Sequence, residues 1–92
     1  MIVSFRNKDT KRLYEGKRVK EFQPFERIAV RKLRQLQIAE CLDDLRVPPG
    51  NRLELLHGDR EGQYSMRINN RYRLCFVWMA GGPHEVEIVD YH

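Results

Sequence analysis

Cysteine is scarce and poorly spaced for chemistry: Cys41 and Cys75 lie 34 positions apart, one in a helical pattern and one in a strand pattern. That spacing excludes a CxxC metal knuckle or redox pair and leaves two buried free thiols as the expectation. Histidine is equally thin, since His57, His84 and His92 show neither HExxH nor any paired-ligand spacing; no metal and no other cofactor is expected. No stretch reaches the roughly 20 apolar residues that span a bilayer. The opening MIVSFRNKDTKR has only a short apolar run before its charges, too short for a secretory h-region. A soluble, cytoplasmic protein without a membrane partner is therefore expected. No repeat, low-complexity tract or linker interrupts the 92 residues, and that length has room for one core, so residues 1–92 read as a single domain.

What is present is charge, unevenly placed. The net charge is +4, yet residues 1–50 hold twelve Lys/Arg against seven Asp/Glu, while residues 51–92 hold five against six. Every lysine lies at or before Lys32, and beyond it only Arg34, Arg46, Arg52, Arg60, Arg67, Arg71 and Arg73 carry fixed positive charge. Lysine suits diffuse attraction to phosphate, and arginine's planar fork suits defined bidentate contacts. The split points to a docking half, with Lys11, Arg12, Lys17 and Arg18 as its candidates, and a site half. The plainer alternative is that the choice tracks helix against strand.

IVSF at residues 2–5 is a short β-type run expected to join a sheet, and KDTKRLYEGK forms a short helix ending near Gly16. From Pro24 to about Leu45 the apolar residues Phe25, Ile28, Ala29, Leu33, Leu36 and Ala39 recur at helical spacing. Arg27, Arg31 and Arg34 fall opposite, as either a solvated face or a strip for a nucleic-acid backbone. RVPPGNR stops this helix. Beyond it, residues 52–56, 63–68, 72–78 and 85–91 are strand-length runs joined by turn-rich links. The expectation is an α+β fold: a mainly antiparallel sheet, with two N-terminal helices packed on one face.

Alternation separates the faces of that sheet. Met66, Leu74, Phe76, Val86 and Ile88 belong to the covered side; Arg67, Arg73 and Tyr91 share the other, and Glu54 joins them from the first strand, opposite Leu53 and Leu55. His57 stands at the following turn, and His92 lies one residue past regular pairing. Asp90 alternates to the covered side and reads as an anchor. Glu54, His57, Arg67, Arg73, Tyr91 and His92 together supply proton-transfer groups and fixed positive charge, which is what metal-free RNA cleavage needs. Each also has an ordinary reading, as an exposed strand residue, a cross-strand ion pair, a polar turn or a solvated tail.

PPGNRLELLHGDREGQYSMRINNRYRLCFVW, followed by VEIVDYH, resembles the HigB toxins of bacterial toxin-antitoxin pairs, a branch of the RelE superfamily. The opening MIVSFRNKDTKRLYEG and the length match too, so the resemblance covers essentially the whole chain. It implies a RelE-like fold and an endoribonuclease that cuts mRNA on the ribosome by 2′-OH attack and inhibits translation. It also implies a HigA-type antitoxin partner, a helix-turn-helix protein through which alone operator DNA is bound. By the same resemblance Arg73 stabilises phosphate charge, and Asp90, Tyr91 and His92 form one wall of the site, with Tyr91 as base or stacking surface and His92 moving protons or holding the phosphate. Arg67 and Arg71 are further candidates for contact with RNA. Some HigB toxins carry histidine and lysine where this sequence has Glu54 and His57; a carboxylate also accepts protons, and a protonated histidine also carries charge. Two rivals are a ParE-like toxin that inhibits DNA gyrase by binding, against which the terminal Tyr and His beside Arg73 speak, and an inactive domain that only pairs with an antitoxin.

Overall fold

The computed structural model describes residues 1–91. Its first regular element, α1 (Lys8–Tyr14), starts where the Asn7 side chain accepts the Thr10 N–H at 2.9 Å, with Asp9 complementing the positive end of the helix. Seven residues do not hold a helix in water by themselves. Packing holds it: Leu13 is buried, and the buried Thr10 hydroxyl accepts the Ile88 N–H at 2.9 Å.

The second helix is shorter than its apolar spacing suggests. Residues 20–25, Pro24 among them, form a 3₁₀ turn, and α2 runs only from Glu26 to Ile38. Cys41, Leu42 and Leu45, which fall to one side of that stripe, belong to a separate 3₁₀ turn, Leu42–Arg46, and the residue before it, rather than to the last turn of a long helix. Its cause is local. The Asp44 carboxylate accepts the Glu40 and Cys41 N–H groups at 2.9 and 3.3 Å, a start signal that competes with continuing the helix. Those bonds hold the Asp44 carboxyl below its ordinary pKa.

Four antiparallel strands follow in spatial order: β1 (Glu54–Leu55), β2 (Tyr64–Arg67), β3 (Tyr72–Met79) and β4 (Gly82–Asp90). The β1 pairing is shorter than the apolar run at 52–56, and Arg52, just before it, takes a left-handed conformation. The β3–β4 connection is tighter than AGGPH suggests, since strand pairing already resumes at Gly82. Gly82 has φ +125°, and a Cβ there would stand 2.5 Å from the Met1 carbonyl oxygen, so a larger residue strains the hairpin. Residues 2–6 lie along β4 as expected of IVSF, yet as a single parallel bridge, Phe5 to Val86, rather than a full strand. Val3 N–H donates to Pro83, Arg6 N–H to Val86, and Val86 N–H to Ser4, which covers an edge that would otherwise be an open template for pairing.

Met66, Leu74, Phe76, Val86 and Ile88 of the sheet meet Leu13, Phe22, Phe25, Ala29, Leu33 and Leu36 from the helical side in one cluster. The architecture is α+β, with both helices on one sheet face. The face that alternation leaves open is only half open. Arg60 reaches from the 3₁₀ turn Gly58–Arg60 to Glu87 and, with Leu56, closes over the Ser65–Cys75–Glu87 row.

Of the two thiols expected to be buried, Cys75 is buried and Cys41 is exposed. Cys41 precedes the 3₁₀ turn rather than lying on the core side of a helix. Burial pushes the Cys75 thiol from 9.0 up to about 11. Iodoacetamide at pH 8 is expected to modify one thiol in the native protein and both after denaturation, read by intact mass; equal native labelling would overturn this placement. The unfolded Cys75 ionises first, so its contribution to stability is complete below pH 9.0 and declines as pH rises toward 11.

Candidate active site

Strand register brings the predicted open-face residues together. Arg67 pairs with Arg73, Arg73 with Val89, and Glu54 with Ser65 in the neighbouring row. Beyond Asp90 the ladder gains one more bond, from Tyr91 N–H to the Arg71 carbonyl at 2.7 Å. The result is a shallow hollow of about 300 Å³ lined by Arg52, Glu54, Arg67, Asn69, Asn70, Arg73 and Tyr91. Three arginines and one carboxylate give it positive character.

Arg73 is the most constrained of these. Its Nε donates to Ser65 Oγ at 2.8 Å and its Nη2 to the Arg52 carbonyl at 2.8 Å, and Nη2 stands 3.8 Å from Glu54 Oε2. Its side chain is only 14% exposed, against 55% for Glu54. A guanidinium held this way presents its remaining donors in one direction. Arg67 donates to the Asn70 side-chain oxygen. Asn69 shapes the β2–β3 loop, its Oδ1 accepting the Arg71 and Tyr72 N–H groups at 2.8 and 2.7 Å. Tyr91 is 41% exposed and leaves a ring surface and a phenol at the hollow.

Other candidates stand elsewhere. Asp90 accepts from Arg71 Nε at 2.8 Å and stands 2.7 Å from Arg71 Nη2, and Arg71 also lies over the Tyr72 ring. The Asp90 contact raises the Arg71 pKa further. Both therefore serve as a clasp between the ends of β3 and β4, outside the residues that line the hollow. His57 is exposed ahead of the Gly58–Arg60 turn and likewise outside the lining. Lys11 and Arg12 lie on α1 and point away from its buried Thr10 and Leu13. Lys17 pairs with Glu15 and Arg18 with Glu26, each at 3.7 Å. His92 lies outside the described residues. Among those residues no group of three or more His, Cys, Asp or Glu side chains could hold a metal ion.

Sequence reasoning missed Arg60, Arg52 and Ser65, as well as the loop residues Asn69 and Asn70 in the lining. Arg60 donates to Glu87 at 2.9 Å and to Gln63 at 3.1 Å, and the Glu87 contact raises its pKa. Alternation carries no signal for a residue that reaches the face from a turn. Arg52 lines the hollow and holds Arg73 through a carbonyl, and Ser65 holds Arg73 from beneath. Only Ser65, on the same strand face as Arg67, had a legible position.

A largely buried, oriented guanidinium can bind a phosphate and stabilise its developing charge, and a carboxylate or phenol beside it can accept a proton. Residues 3–92 match the model of the HigB-like toxins, described as the RelE-like toxin of the type II toxin-antitoxin system HigB. Toxin HigB-1 of Vibrio cholerae is 40% identical over 83 residues, covering 88% of this chain and 87% of that protein. An uncharacterized protein of Haemophilus influenzae is 42% identical over 52 residues, covering 56% and 52%. A YoeB/ParE toxin structure from Agrobacterium tumefaciens superposes with a TM-score of 0.57 over 99% of this chain and 98% of that one, at 21% identity, and shares the fold. Sequence match, RelE-like architecture and length agree, and the chain belongs to the HigB toxins of type II toxin-antitoxin systems.

Proposed function

We propose that this toxin is a ribosome-dependent mRNA endonuclease that inhibits translation by cutting RNA without a metal or other cofactor. The observation that carries the reading is Arg73, fixed by Ser65 and the Arg52 carbonyl and opening onto a hollow shared with Glu54 and Tyr91. The step is an in-line displacement. A base removes the proton from the ribose 2′-OH, O2′ attacks phosphorus, and the bond to the 5′-oxygen breaks. That oxygen takes a proton from an acid and leaves a 2′,3′-cyclic phosphate. Arg73 and Arg67 stabilise the extra phosphate charge. Glu54 is exposed enough to act as base, Tyr91 is a base or a stacking surface for a nucleobase, and His92 is the candidate acid. The 2′-OH requirement restricts the substrate to RNA.

Asp90 and Arg71 support this wall rather than react, and His57 contributes charge only by moving toward the hollow. Lys11, Arg12, Lys17 and Arg18 are exposed and serve docking to ribosomal RNA. A type II toxin has an antitoxin partner; here it is HigA-like, and it alone connects the toxin to operator DNA. No described helix is long and apolar enough to cross a membrane, and action on ribosomes puts the protein in the cytoplasm. Mapping of mRNA 5′ ends after induction is expected to show codon-phased cuts in translated regions, reduced about 100-fold or more by Tyr91→Ala. Uncut mRNA together with inhibited gyrase supercoiling would replace the nuclease reading.

A further inference from the structure

The apolar stripe of α2 contains a misfit. Lys32 sits among Ala29, Leu33 and Leu36 with only 7% of its surface exposed, and no carboxylate of the described residues lies within ion-pair reach. Its Nζ instead donates to Asn51 Oδ1. Burial, followed by the nearby charge of Arg31, lowers its pKa. A leucine or methionine would fill this stripe without placing a polar group there, so the lysine invites a reason beyond packing.

Asn51 is fully buried and spends its amide on one loop. Its Nδ2 donates to the Leu45 carbonyl at 3.1 Å and the Val47 carbonyl at 3.3 Å, and also to Gln35 Oε1 on α2 at 3.0 Å. Lys32 and Gln35 thus tie residues 45–51 to the helix, Lys32 through Asn51 and Gln35 both through Asn51 and by a direct bond from its Nε2 to the Val47 carbonyl. The next residue, Arg52, is held at φ 46° and ψ 56°, a left-handed conformation that a non-glycine residue adopts only when its surroundings impose it. Its carbonyl accepts Arg73 Nη2 at 2.8 Å.

We propose that Lys32 and Asn51 are positioning residues for Arg73: from the covered side of the sheet they set the backbone at Arg52, whose carbonyl orients the guanidinium in the hollow. This rests on the reading that Arg73 holds the scissile phosphate. The chain of contacts runs Lys32 to Asn51, Asn51 to the adjoining Arg52 backbone, and Arg52 to Arg73. It needs no substrate contact from either positioning residue. It explains why Asn51 sits immediately before the strained residue and why a lysine occupies the stripe at the one place where its amine reaches Asn51.

Lys32→Met keeps the length of the side chain and removes its donors, Lys32→Gln restores an N–H donor, and Asn51→Ala removes the centre of the relay. Single-turnover mRNA cleavage on programmed ribosomes, titrated with toxin, separates maximal rate from half-saturating concentration. Lys32→Met and Asn51→Ala are expected to lower the maximal rate about 10- to 100-fold with little change in half-saturation, the effect of a catalytic group misplaced by about an ångström. Lys32→Gln recovers most of the rate. In parallel, exchange of the Arg73 Nη2–H protons that face the Arg52 carbonyl, followed by nitrogen-15 NMR, is expected to accelerate in both variants while amide dispersion stays native. A rate that falls only in proportion to the folded fraction overturns the proposal, as does unchanged Arg73 exchange in a folded variant. If Asn51→Ala fails to fold, the Lys32 pair decides. If the wild-type protein cuts no mRNA, the nuclease reading fails, and Arg73 exchange alone still decides whether the relay positions the guanidinium.

Discussion

On the proposed nuclease reading, Arg73→Ala is expected to lower mRNA cleavage on programmed ribosomes by about 100- to 1,000-fold, the range seen when one preorganised donor to a developing oxyanion is removed. Ribosome binding is expected to be largely kept, because Lys11, Arg12, Lys17 and Arg18, the residues proposed for docking, lie outside the hollow. The size of the effect follows from how Arg73 is held. Its side chain is mostly buried and bonded to Ser65 and to the Arg52 carbonyl, so its orientation is set before any phosphate arrives. Arg73→Lys recovers little, since a single ammonium on a flexible stem cannot bridge Ser65 and Arg52 while also facing the hollow. Quench-flow on ribosomes carrying a defined codon reads the rate, and sedimentation with ribosomes reads binding. A cleavage rate within a few-fold of wild type would remove Arg73 from the centre of the chemistry.

Phe76→Ala costs about 3–5 kcal/mol of stability, the usual loss for deleting a buried phenyl ring. Phe76 is fully buried on β3, packs in the central cluster and stacks with Tyr64 at 6.2 Å between ring centroids. Domains of this kind have about 5–15 kcal/mol in total, so the variant stands near the edge of folding at 37 °C. Phe76 pairs with Tyr64 in the row beside Ser65–Cys75, three rows from the Arg67–Arg73 pair. Toxicity falls with the folded population rather than through the hollow. Urea unfolding followed by circular dichroism gives the loss directly; a shift worth less than about 1 kcal/mol would mean that the core collapses around the cavity.

Much of the sheet was legible because its signal has period two and is repeated on adjoining strands. Met66, Leu74 and Ile88 alternate inward together, and Arg67, Arg73 and Tyr91 are what that alternation leaves outside. The helix boundary was not legible, because Leu42 and Leu45 prolong the apolar pattern, on a shifted side, past the point where the Asp44 carboxylate competes for the backbone N–H groups. Side-chain competition for backbone N–H groups leaves no mark on hydrophobic periodicity. Lys32 was invisible for the opposite reason. In a stripe read by hydropathy a charged residue is passed over, and its burial depends on Asn51 arriving from nineteen positions further along. Arg60 and the Arg52 carbonyl join the site's face through a turn and a backbone atom, where neither residue type nor alternation speaks.

The seal along β4 also bears on how the protein comes into being. The Glu85 N–H bond to the Ser4 hydroxyl spans 81 positions, and the Ile88 N–H bond to Thr10 spans 78. Residues 2–10 leave the ribosome early and wait for partners that are synthesised almost a whole domain later. Contacts of such sequence separation form late and slowly. The strand that they secure also leads into Tyr91. A chain still lacking β4 therefore lacks both the partner that holds α1 and the strand that carries Tyr91, so the first helix and the hollow are completed in the same step.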